Sequence, residues 1–326
     1  MFALVTGGAG FIGSHLVEGL LRNGHRVRVL DNFSTGKVEN LAALRDANGD
    51  PVFDDRGRSR TRDAELIRGD AADPSICKAA CTGIEIIFHE AAVPSVPKSI
   101  ADPVTSHRAN VEGTFNLLMG AREAKVRRFI HAASSSAYGE SERLPKVESM
   151  QSSPLSPYAV QKLAGENYCR VFASCYGLQT LSMRYFNVFG PRQDPKSQYA
   201  AVIPAFITSI LRDESPTIYG DGEQTRDFTH IENVVGANLL AMEAAETHGE
   251  VVNIACGEHI SINQIIARIN ESLGKRVPAK YVPERPGDIK HSWADISLAQ
   301  RVIGYRPTVS FADGLKRTIE WYAANR

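Results

Sequence analysis

The stretch FALVTGGAGFIG, residues 2–13, decides the fold of this chain. Its first four residues form an apolar run that predicts a buried strand, and apolar residues at helical spacing follow the last glycine. Between them Gly7 permits a tight turn, Gly10 lets the backbone approach a pyrophosphate, and Gly13 lets the helix pack close to the sheet. The N–H groups at the start of that helix attract anions. The segment therefore predicts a strand, a dinucleotide-binding loop and a helix.

An acidic residue at the end of the next strand indicates which dinucleotide binds. Val27–Leu30 is apolar and β-branched, and it runs into Asp31. A carboxylate in this place can accept hydrogen bonds from both ribose hydroxyls and repels a 2′-phosphate. We therefore expect NAD rather than NADP as the cofactor. The alternative is a structural turn followed by a surface aspartate.

Strand and helix patterns alternate through the first half of the chain. Ile84–His89, Arg128–Ala132 and Leu178–Arg184 predict buried strands. Long amphipathic helices are expected at Pro103–Ala124 and Pro157–Tyr176. Alternating strands and helices imply a parallel sheet covered on both faces. The expected fold class is α/β, with a Rossmann-type doubly wound parallel sheet.

The pattern becomes less regular after Arg184, where Pro and Gly punctuate the chain. We expect an NAD-binding domain over residues 1–184 and a smaller α/β C-terminal substrate domain over 185–326. The helix expected at 233–246 should pack back on the first domain. Residues 47–61 are polar and rich in Asp and Arg, which predicts a solvated loop.

Composition narrows the class of partner. The 326 residues carry equal numbers of acidic and basic side chains, so the overall charge favours neither nucleic acid nor a membrane surface. The five cysteines form no CxxC pair, and no metal site is expected. The chain has no run of about 18 apolar residues that would span a bilayer. Because the first residues read as a strand rather than a signal peptide, we expect a cytoplasmic protein.

One tyrosine has the spacing of a proton-transfer pair. Of the ten tyrosines only Tyr158 is followed four residues later by a lysine, Lys162. Residues i and i+4 share a helix face, and Ser156-Pro157 suits the start of that helix. A nearby ammonium and a positively charged nicotinamide would lower the phenol pKa, so that Tyr158 could accept a hydroxyl proton. The alternative is an ordinary surface pair.

Serines follow the strand that precedes this helix. Residues 129–133 run into Ser134-Ser135-Ser136, and the carboxyl end of a parallel strand lies at the crevice of an open α/β sheet. A hydroxyl there can hydrogen-bond the reacting oxygen. Taken alone, the segment reads as a serine-rich turn.

Together these motifs resemble the extended short-chain dehydrogenase/reductases, and in particular the UDP-hexose 4-epimerases. The resemblance spans nearly the whole chain. Its segments are TGGAGFIG (6–13), LDNFSTGK (30–37), GD (69–70), HEAA (89–92), SSSAYG (134–139), LSPYAVQK (155–162), YGDGEQTRDF (219–228) and RPGD (285–288).

The resemblance implies a role for each matching residue. The implied catalytic residues are Ser134, Tyr158 and Lys162. The implied NAD contacts are Gly7, Gly10, Phe11, Ile12, Gly13, Asp31, Asn32, Ser34, Gly36, Asp70, Ala71, Ala91, Ala92, Asn110, Tyr158, Lys162 and Tyr185. The implied contacts to a UDP-sugar are Ser134, Ser136, Asn187, Val202, Tyr219, Arg226, Arg285, Asp288 and Ser292.

The resemblance also implies a reaction, which is C4 epimerisation of UDP-glucose and UDP-galactose through a transient 4-keto sugar, with tightly bound NAD. A homodimer through the two long helices is implied as well. In the family a tyrosine at the position of Ser292 excludes a 2-acetamido group, so UDP-GlcNAc and UDP-GalNAc are expected substrates too. Many epimerases carry a lysine where this chain has Val93–Pro97, which leaves the contacts there open.

Four other functions stay open. A 4,6-dehydratase needs an acid where this chain has Ser135 and Ser136. A UDP-glucuronate 4-epimerase needs an extra partner for the substrate carboxylate, and other nucleotide-sugar oxidoreductases share the motifs. The fold can also serve as an NAD-sensing scaffold.

Overall fold

The computed structural model describes residues 1–46, 48–140, 143–195, 202–284 and 290–325. The strands are β1 Phe2–Thr6, β2 Arg26–Asp31, β3 Ala64–Arg68, β4 Ile86–His89, β5 Arg128–Ser134, β6 Gln179–Tyr185, β7 Val188–Phe189, β8 Thr217–Tyr219, β9 Thr225–Arg226, β10 Thr229–His230, β11 Glu250–Ile254, β12 Ile260–Ser261, β13 Lys280–Val282 and β14 His291–Ser292. The α-helices are α1 Phe11–Arg22, α2 Val38–Ala42, α3 Pro74–Cys81, α4 Val96–Ala101, α5 Pro103–His107, α6 Gly113–Glu123, α7 Pro157–Tyr176, α8 Val202–Leu211, α9 Ile231–Glu243, α10 Ile262–Leu273, α11 Ser297–Ile303 and α12 Phe311–Ala324.

A seven-stranded parallel sheet forms the centre of the molecule. Its strand order is β11-β6-β5-β4-β1-β2-β3, so the order reverses between β1 and β4. Such a reversal opens a crevice at the carboxyl ends of the strands, where doubly wound folds bind ligands. The α/β, Rossmann-type doubly wound sheet expected from the sequence is confirmed.

Helices bury both faces of this sheet. On one face α1, α9 and α11 pack around Leu16, Leu20 and Val234. On the other face α3, α6 and α7 pack around Leu117 and Phe172. Because both faces are covered, the strands can be apolar along their whole length, which explains the unbroken apolar runs in the sequence.

The second half of the chain contributes to this sheet and also builds a second core. Helix α9 lies against α1 so closely that a Cβ on Gly19 would approach Val235 Cγ1 to 2.8 Å. Strand β11 pairs with β6 at the edge of the sheet. Helices α8, α10 and α12 pack separately around Ile207, Ile265 and Phe311.

Two local structures differ from the sequence expectation. The helix expected at Pro103–Ala124 is divided into α5 and α6 by a π-helical segment, Arg108–Glu112. The loop expected at 47–61 is irregular, yet its Val52 and Phe53 are buried in the main core. An isolated apolar pair has no periodicity, and for this reason the sequence did not show that the loop is anchored.

Among the described residues, no helix combines the length and the apolar composition needed to cross a bilayer.

Candidate active site

Residues of the candidate site lie at the carboxyl ends of five neighbouring strands. Gly7 follows β1, Asp31 ends β2, Glu90 follows β4, Ser134 ends β5 and Tyr185 ends β6. Parallel registers join these strand ends side by side. The strand reversal therefore collects the glycine loop, the acidic residue and the catalytic hydroxyl in one crevice.

The glycine loop fits a dinucleotide pyrophosphate. Gly7 has a φ of 68°, and a Cβ on Gly13 would lie 2.2 Å from the Gly7 oxygen, so neither position accepts another residue without a shift. Gly10 occupies the N-cap of α1 and has no side chain to accept the first N–H groups of the helix. These donors and the positive end of the helix dipole therefore point toward the space where phosphates would bind.

Asp31 is held beside this loop. Its carboxylate accepts hydrogen bonds from Ala9 N at 2.9 Å and Phe33 N at 2.7 Å, and burial raises its pKa. Gly36 packs against the carboxylate, since a Cβ there would lie 2.9 Å from both carboxylate oxygens. A side chain at position 36 would therefore press on the Asp31 carboxylate.

A second polar group continues from Asp31 along the crevice. Asn32 accepts a hydrogen bond from Ser34 N at 2.9 Å and donates to Asp70 at 3.1 Å. Asn32, Ser34 and Asp70 are all exposed. Their exposed donors and acceptors suit the adenosine end of a dinucleotide.

Tyr158 and Ser134 meet as the sequence predicts. Ser156 caps α7 by accepting from Ala159 N at 3.2 Å, and Pro157 occupies the first turn. This start places Tyr158 so that its hydroxyl hydrogen-bonds with Ser134. Ser134 Oγ also accepts from the Ser136 hydroxyl at 2.9 Å. Three hydroxyls therefore converge at the end of β5.

The pKa of Tyr158 differs from the sequence expectation. Burial raises it above the ordinary value, the hydrogen bond from Ser134 lowers it, and the Glu90 carboxylate raises it. Lys162, which was expected to lower this pKa, is not among the groups that shift it. The remaining positive charge that could ionise the phenol is that of a bound nicotinamide.

Lys162 lies beside the end of β5 and is only 3% exposed. Its ammonium donates to the Ala132 carbonyl at 2.8 Å, which fixes its position under the end of β5. Burial lowers the pKa of Lys162 to about 8, while Glu90 and, to a smaller extent, Glu166 raise it.

Glu166 is paired elsewhere. Arg184 donates to both of its oxygens, at 2.9 and 2.7 Å, and the two side chains are almost fully buried. The Arg184 guanidinium also lies 4.5 Å from the centre of the Tyr138 ring. A bidentate pair of this kind has fixed geometry, so it anchors α7, and with it Tyr158 and Lys162, to β6.

Asn110 and Ala71 lie behind the crevice. The Asn110 amide accepts from Val93 N at 2.8 Å and donates to Gln161 at 2.8 Å. Ala71 is buried, and its carbonyl accepts from Asn116 at 3.2 Å. Asn110 therefore links the segment after β4 to α7 through hydrogen bonds.

Sequence reasoning missed Glu90. Its carboxylate accepts the Tyr185 hydroxyl at 2.8 Å, and Tyr185 in turn accepts from Asn238 at 2.9 Å. Burial raises the pKa of Glu90 to about 7, while Tyr185 and Lys162 lower it. The sequence signal that could have identified Glu90 is its position directly after β4, because β4 lies between β1, which precedes Gly7, and β5, which ends at Ser134.

The predicted sugar-side residues come together from separate parts of the chain. Ser292 in β14 is in register with Arg226 in β9, and Asn187 donates to the Asp227 carbonyl at 2.8 Å. The Tyr219 carbonyl accepts from Gln224 at 2.7 Å in the same region. Val202 begins α8 and packs against the second core. Arg285 and Asp288 lie outside the described residues.

Asp227 organises this region and was also missed. Its buried carboxylate accepts from the backbone N–H groups of Cys256, Gly257 and Ala294 at 2.9 to 3.2 Å. Burial raises its pKa to about 6 despite these donors. It therefore fixes the ends of β9, β11 and β14 relative to one another.

Known proteins resemble this chain over its whole length. The model of the NAD-dependent epimerase/dehydratase family matches residues 3–255. A UDP-N-acetylglucosamine 4-epimerase from Methanobrevibacter ruminantium, solved with UDP-N-acetylmuramic acid, is 39% identical, with 99% of this chain and 98% of that chain covered and a TM-score of 0.89. A UDP-glucose 4-epimerase from Thermotoga maritima, solved with UDP-glucose, is 37% identical, with 100% and 99% covered and a TM-score of 0.90.

A third structure bears on the cofactor and on the range of substrates. A UDP-glucuronic acid 4-epimerase from Bacillus cereus, solved with UDP-glucuronic acid and NAD, is 34% identical, with all of both chains covered and a TM-score of 0.88. These relatives share C4 epimerisation of UDP-sugars but differ in the sugar. The crevice described above and the match over residues 3–255 lead to one conclusion: this chain belongs to the NAD-dependent epimerase/dehydratase family, with NAD as its cofactor.

Proposed function

We propose that this protein is a 4-epimerase of UDP-hexoses that interconverts the gluco and galacto forms of both plain and N-acetylated sugars. The observation that carries the proposal is the group formed by Ser134, Tyr158 and Lys162 at the end of β5. The family and the UDP-sugar 4-epimerases among its relatives support the reaction class.

The proposed chemistry assigns one role to each member of this group. Tyr158 accepts the proton of the sugar 4-hydroxyl, and Ser134 hydrogen-bonds the same oxygen. Lys162, fixed by the Ala132 carbonyl, supplies positive charge beneath the phenol. When bound, NAD would supply a reversible acceptor for the C4 hydride. After the 4-keto sugar has turned, the opposite face of C4 is open to hydride return, and Tyr158 gives its proton back to the C4 oxygen.

The proposed NAD contacts follow the crevice from β2 to β6. Gly10 and Gly13 would admit the pyrophosphate, and Asp31 would accept the ribose hydroxyls. The backbone of Ala91 and Ala92 and the ring of Tyr185 would border the nicotinamide. These proposed NAD contacts are supported by their positions at or directly after the carboxyl ends of the strands or at the start of α1.

The proposed nucleotide-sugar contacts must hold the nucleotide firmly and the sugar loosely, because the keto sugar has to turn. Arg226 would neutralise part of the diphosphate with its planar donors. Asn187 and Tyr219 would border the same nucleotide, and Ser292 would face the sugar. Arg285 and Asp288 remain predictions from the resemblance.

Dehydration is less well supported. Ser135–Tyr138 forms a 3₁₀ turn in which the Ser136 hydroxyl donates to Ser134. A dehydratase needs a carboxylic acid in this stretch to protonate the leaving hydroxyl. Serines here can orient a sugar oxygen but are poor proton donors at neutral pH.

A homodimer is part of the proposal. Helices α5, α6 and α7 expose apolar side chains on one side, with Val104 69% exposed, Val160 52% and Val171 48%. Exposed apolar side chains of this kind on neighbouring helices suit a second copy of the chain. Sedimentation of the purified protein as a single chain would remove this part of the proposal. A cytoplasmic location stays a prediction.

The decisive experiment is product analysis with a panel of UDP-sugars and no added NAD. We expect C4 epimers from UDP-glucose and UDP-N-acetylglucosamine, and NAD in the supernatant after denaturation of the purified protein. A 4-keto-6-deoxy product would establish a dehydratase, and turnover of UDP-glucuronate alone a glucuronate epimerase. Bound NAD without turnover of any sugar would favour the scaffold.

A further inference from the structure

Glu90 is the one carboxylate of the described crevice that acts on both members of the proton-transfer pair. Among the groups that raise the pKa of Lys162, Glu90 is the strongest, and it also raises the pKa of Tyr158. Glu166, the other carboxylate near Lys162, is bound by Arg184 through both of its oxygens. The charge of Glu166 is therefore compensated, whereas the Glu90 carboxylate accepts a hydrogen bond from the neutral phenol of Tyr185.

The position of Glu90 is fixed by the backbone. His89, the preceding residue, is in register with Thr6 on one side and His131 on the other. A Cβ on Gly7 would lie 2.8 Å from Ala91 Cα and 3.2 Å from the Glu90 carbonyl carbon, so the glycine loop presses directly on this segment. The side chain is then held by the chain of hydrogen bonds from Asn238 through Tyr185.

Every packed element contributes to the surroundings of this carboxylate. Because His89 is in register with His131, Glu90 follows beside Ala132, whose carbonyl accepts from Lys162 of α7 at 2.8 Å. Strand β6 brings Tyr185, which is in register with Ser134, the partner of Tyr158, and α9 brings the uncharged Asn238. Glu90 as a whole is half-buried, but protein atoms surround its carboxyl group. In such surroundings a charge acts over short distances with little screening.

We propose that Glu90 is a positioning residue for proton transfer: its charge, held by Tyr185 beside Lys162 and Tyr158, sets the pH range in which that pair exchanges a proton with the sugar. The proposal rests on the proposed function and adds to it a third ionisable group. Ionised Glu90 disfavours the tyrosinate and favours the ammonium. Because burial raises the pKa of Glu90 to about 7, this influence grows through the neutral range.

The direction of the effect follows from these charges. Glu90→Gln keeps the shape and an acceptor for Tyr185 but removes the charge. The pKa values of Tyr158 and Lys162 should both fall, since each is raised by the carboxylate. Both limbs of the pH profile of kcat should therefore move to lower pH by ~1 unit. One limb reflects formation of the Tyr158 tyrosinate, and the other reflects loss of the Lys162 ammonium.

The experiment measures kcat and KM of the NAD-loaded enzyme against pH for wild type, Glu90→Gln and Glu90→Asp. The matched control is Glu85→Gln, which changes an exposed glutamate at the opposite end of β4. We expect the shift in kcat, an unchanged KM at the optimum, a smaller shift in Glu90→Asp and none in the control. Unmoved limbs in Glu90→Gln, or equal movement in Glu85→Gln, would overturn the proposal.

A second readout does not depend on turnover. Tyrosinate absorbance is titrated in the holoenzyme, and the signal of Tyr158 is isolated by subtracting a Tyr158→Phe background with and without Glu90→Gln. The Tyr158 transition should move to lower pH when the charge is removed. If the enzyme epimerises no UDP-sugar, the proposed function fails, while this titration still decides whether Glu90 governs the ionisation of Tyr158.

Discussion

Replacing Tyr158 by phenylalanine is expected to lower kcat for UDP-glucose epimerisation by about 10²–10⁴-fold, the usual contribution of a positioned acid–base group. The phenyl ring fills the same space, so α7 and the nearby backbone should not move. The hydroxyl is lost, and with it the hydrogen bond to Ser134 and the proton acceptor for the sugar. KM should change little, because the nucleotide is held elsewhere.

Tyr168→Phe is the matched control for this variant. Tyr168 lies on the same helix, is 37% exposed and packs against Phe115. The Tyr168→Phe substitution removes the same hydroxyl group at a position away from the crevice, so it should leave kcat unaltered. Thermal unfolding and NAD content of both variants show whether the fold is kept. A Tyr158→Phe enzyme with most of its kcat would refute the assigned role.

Replacing Ser292 by tyrosine is expected to suppress turnover of UDP-N-acetylglucosamine selectively. Ser292 lies in β14, where it is in register with Arg226 and its carbonyl accepts from Asp227 N at 2.9 Å. These bonds fix the backbone, so in the proposed site, where Ser292 faces the sugar, a larger side chain takes its room from the sugar. An overpacking cost of about 1–3 kcal/mol corresponds to a roughly 5- to 150-fold loss. Turnover of UDP-glucose should change far less.

The same substitution at Ser297 provides the control. Ser297 is exposed at the start of α11, five residues along the chain, and a tyrosine there meets solvent. The measurement is kcat/KM for the plain and the N-acetylated substrate in each variant. Equal loss on both substrates in Ser292→Tyr would show that the residue does not select the sugar.

The sequence was sufficient where the signal is local. The glycine loop, the strand ending at Asp31 and the Ser156-Pro157 start of α7 each depend on neighbours a few residues apart, and each lies where it was expected. The parallel sheet followed from alternation alone, because both faces must be buried.

Sequence reasoning was insufficient where contacts join distant segments. The proposed role of Glu90 depends on Lys162 and Tyr185, which lie some 70 to 95 residues away along the chain. Hydrophobic periodicity does not predict contacts between segments so far apart. The strands β9 and β14 are two residues long, too short for a pattern, so the neighbourhood of Arg226 and Ser292 emerges only in three dimensions.

The π-helical segment Arg108–Glu112 has a consequence for how the chain can change in length. A π turn holds one residue more than the α turn it replaces. Because each α-helical residue advances by roughly 100°, deleting one residue here would restore an ordinary α turn and keep α5 aligned with α6, whereas inserting one more residue would rotate α5 against α6. Ser106 would then leave Gln161, or Thr114 would leave His89, contacts of 2.9 and 2.8 Å. Insertions within Arg108–Glu112 should therefore be absent from functional descendants of this chain, whereas the exposed Asp55-Arg56 turn can lose or gain residues.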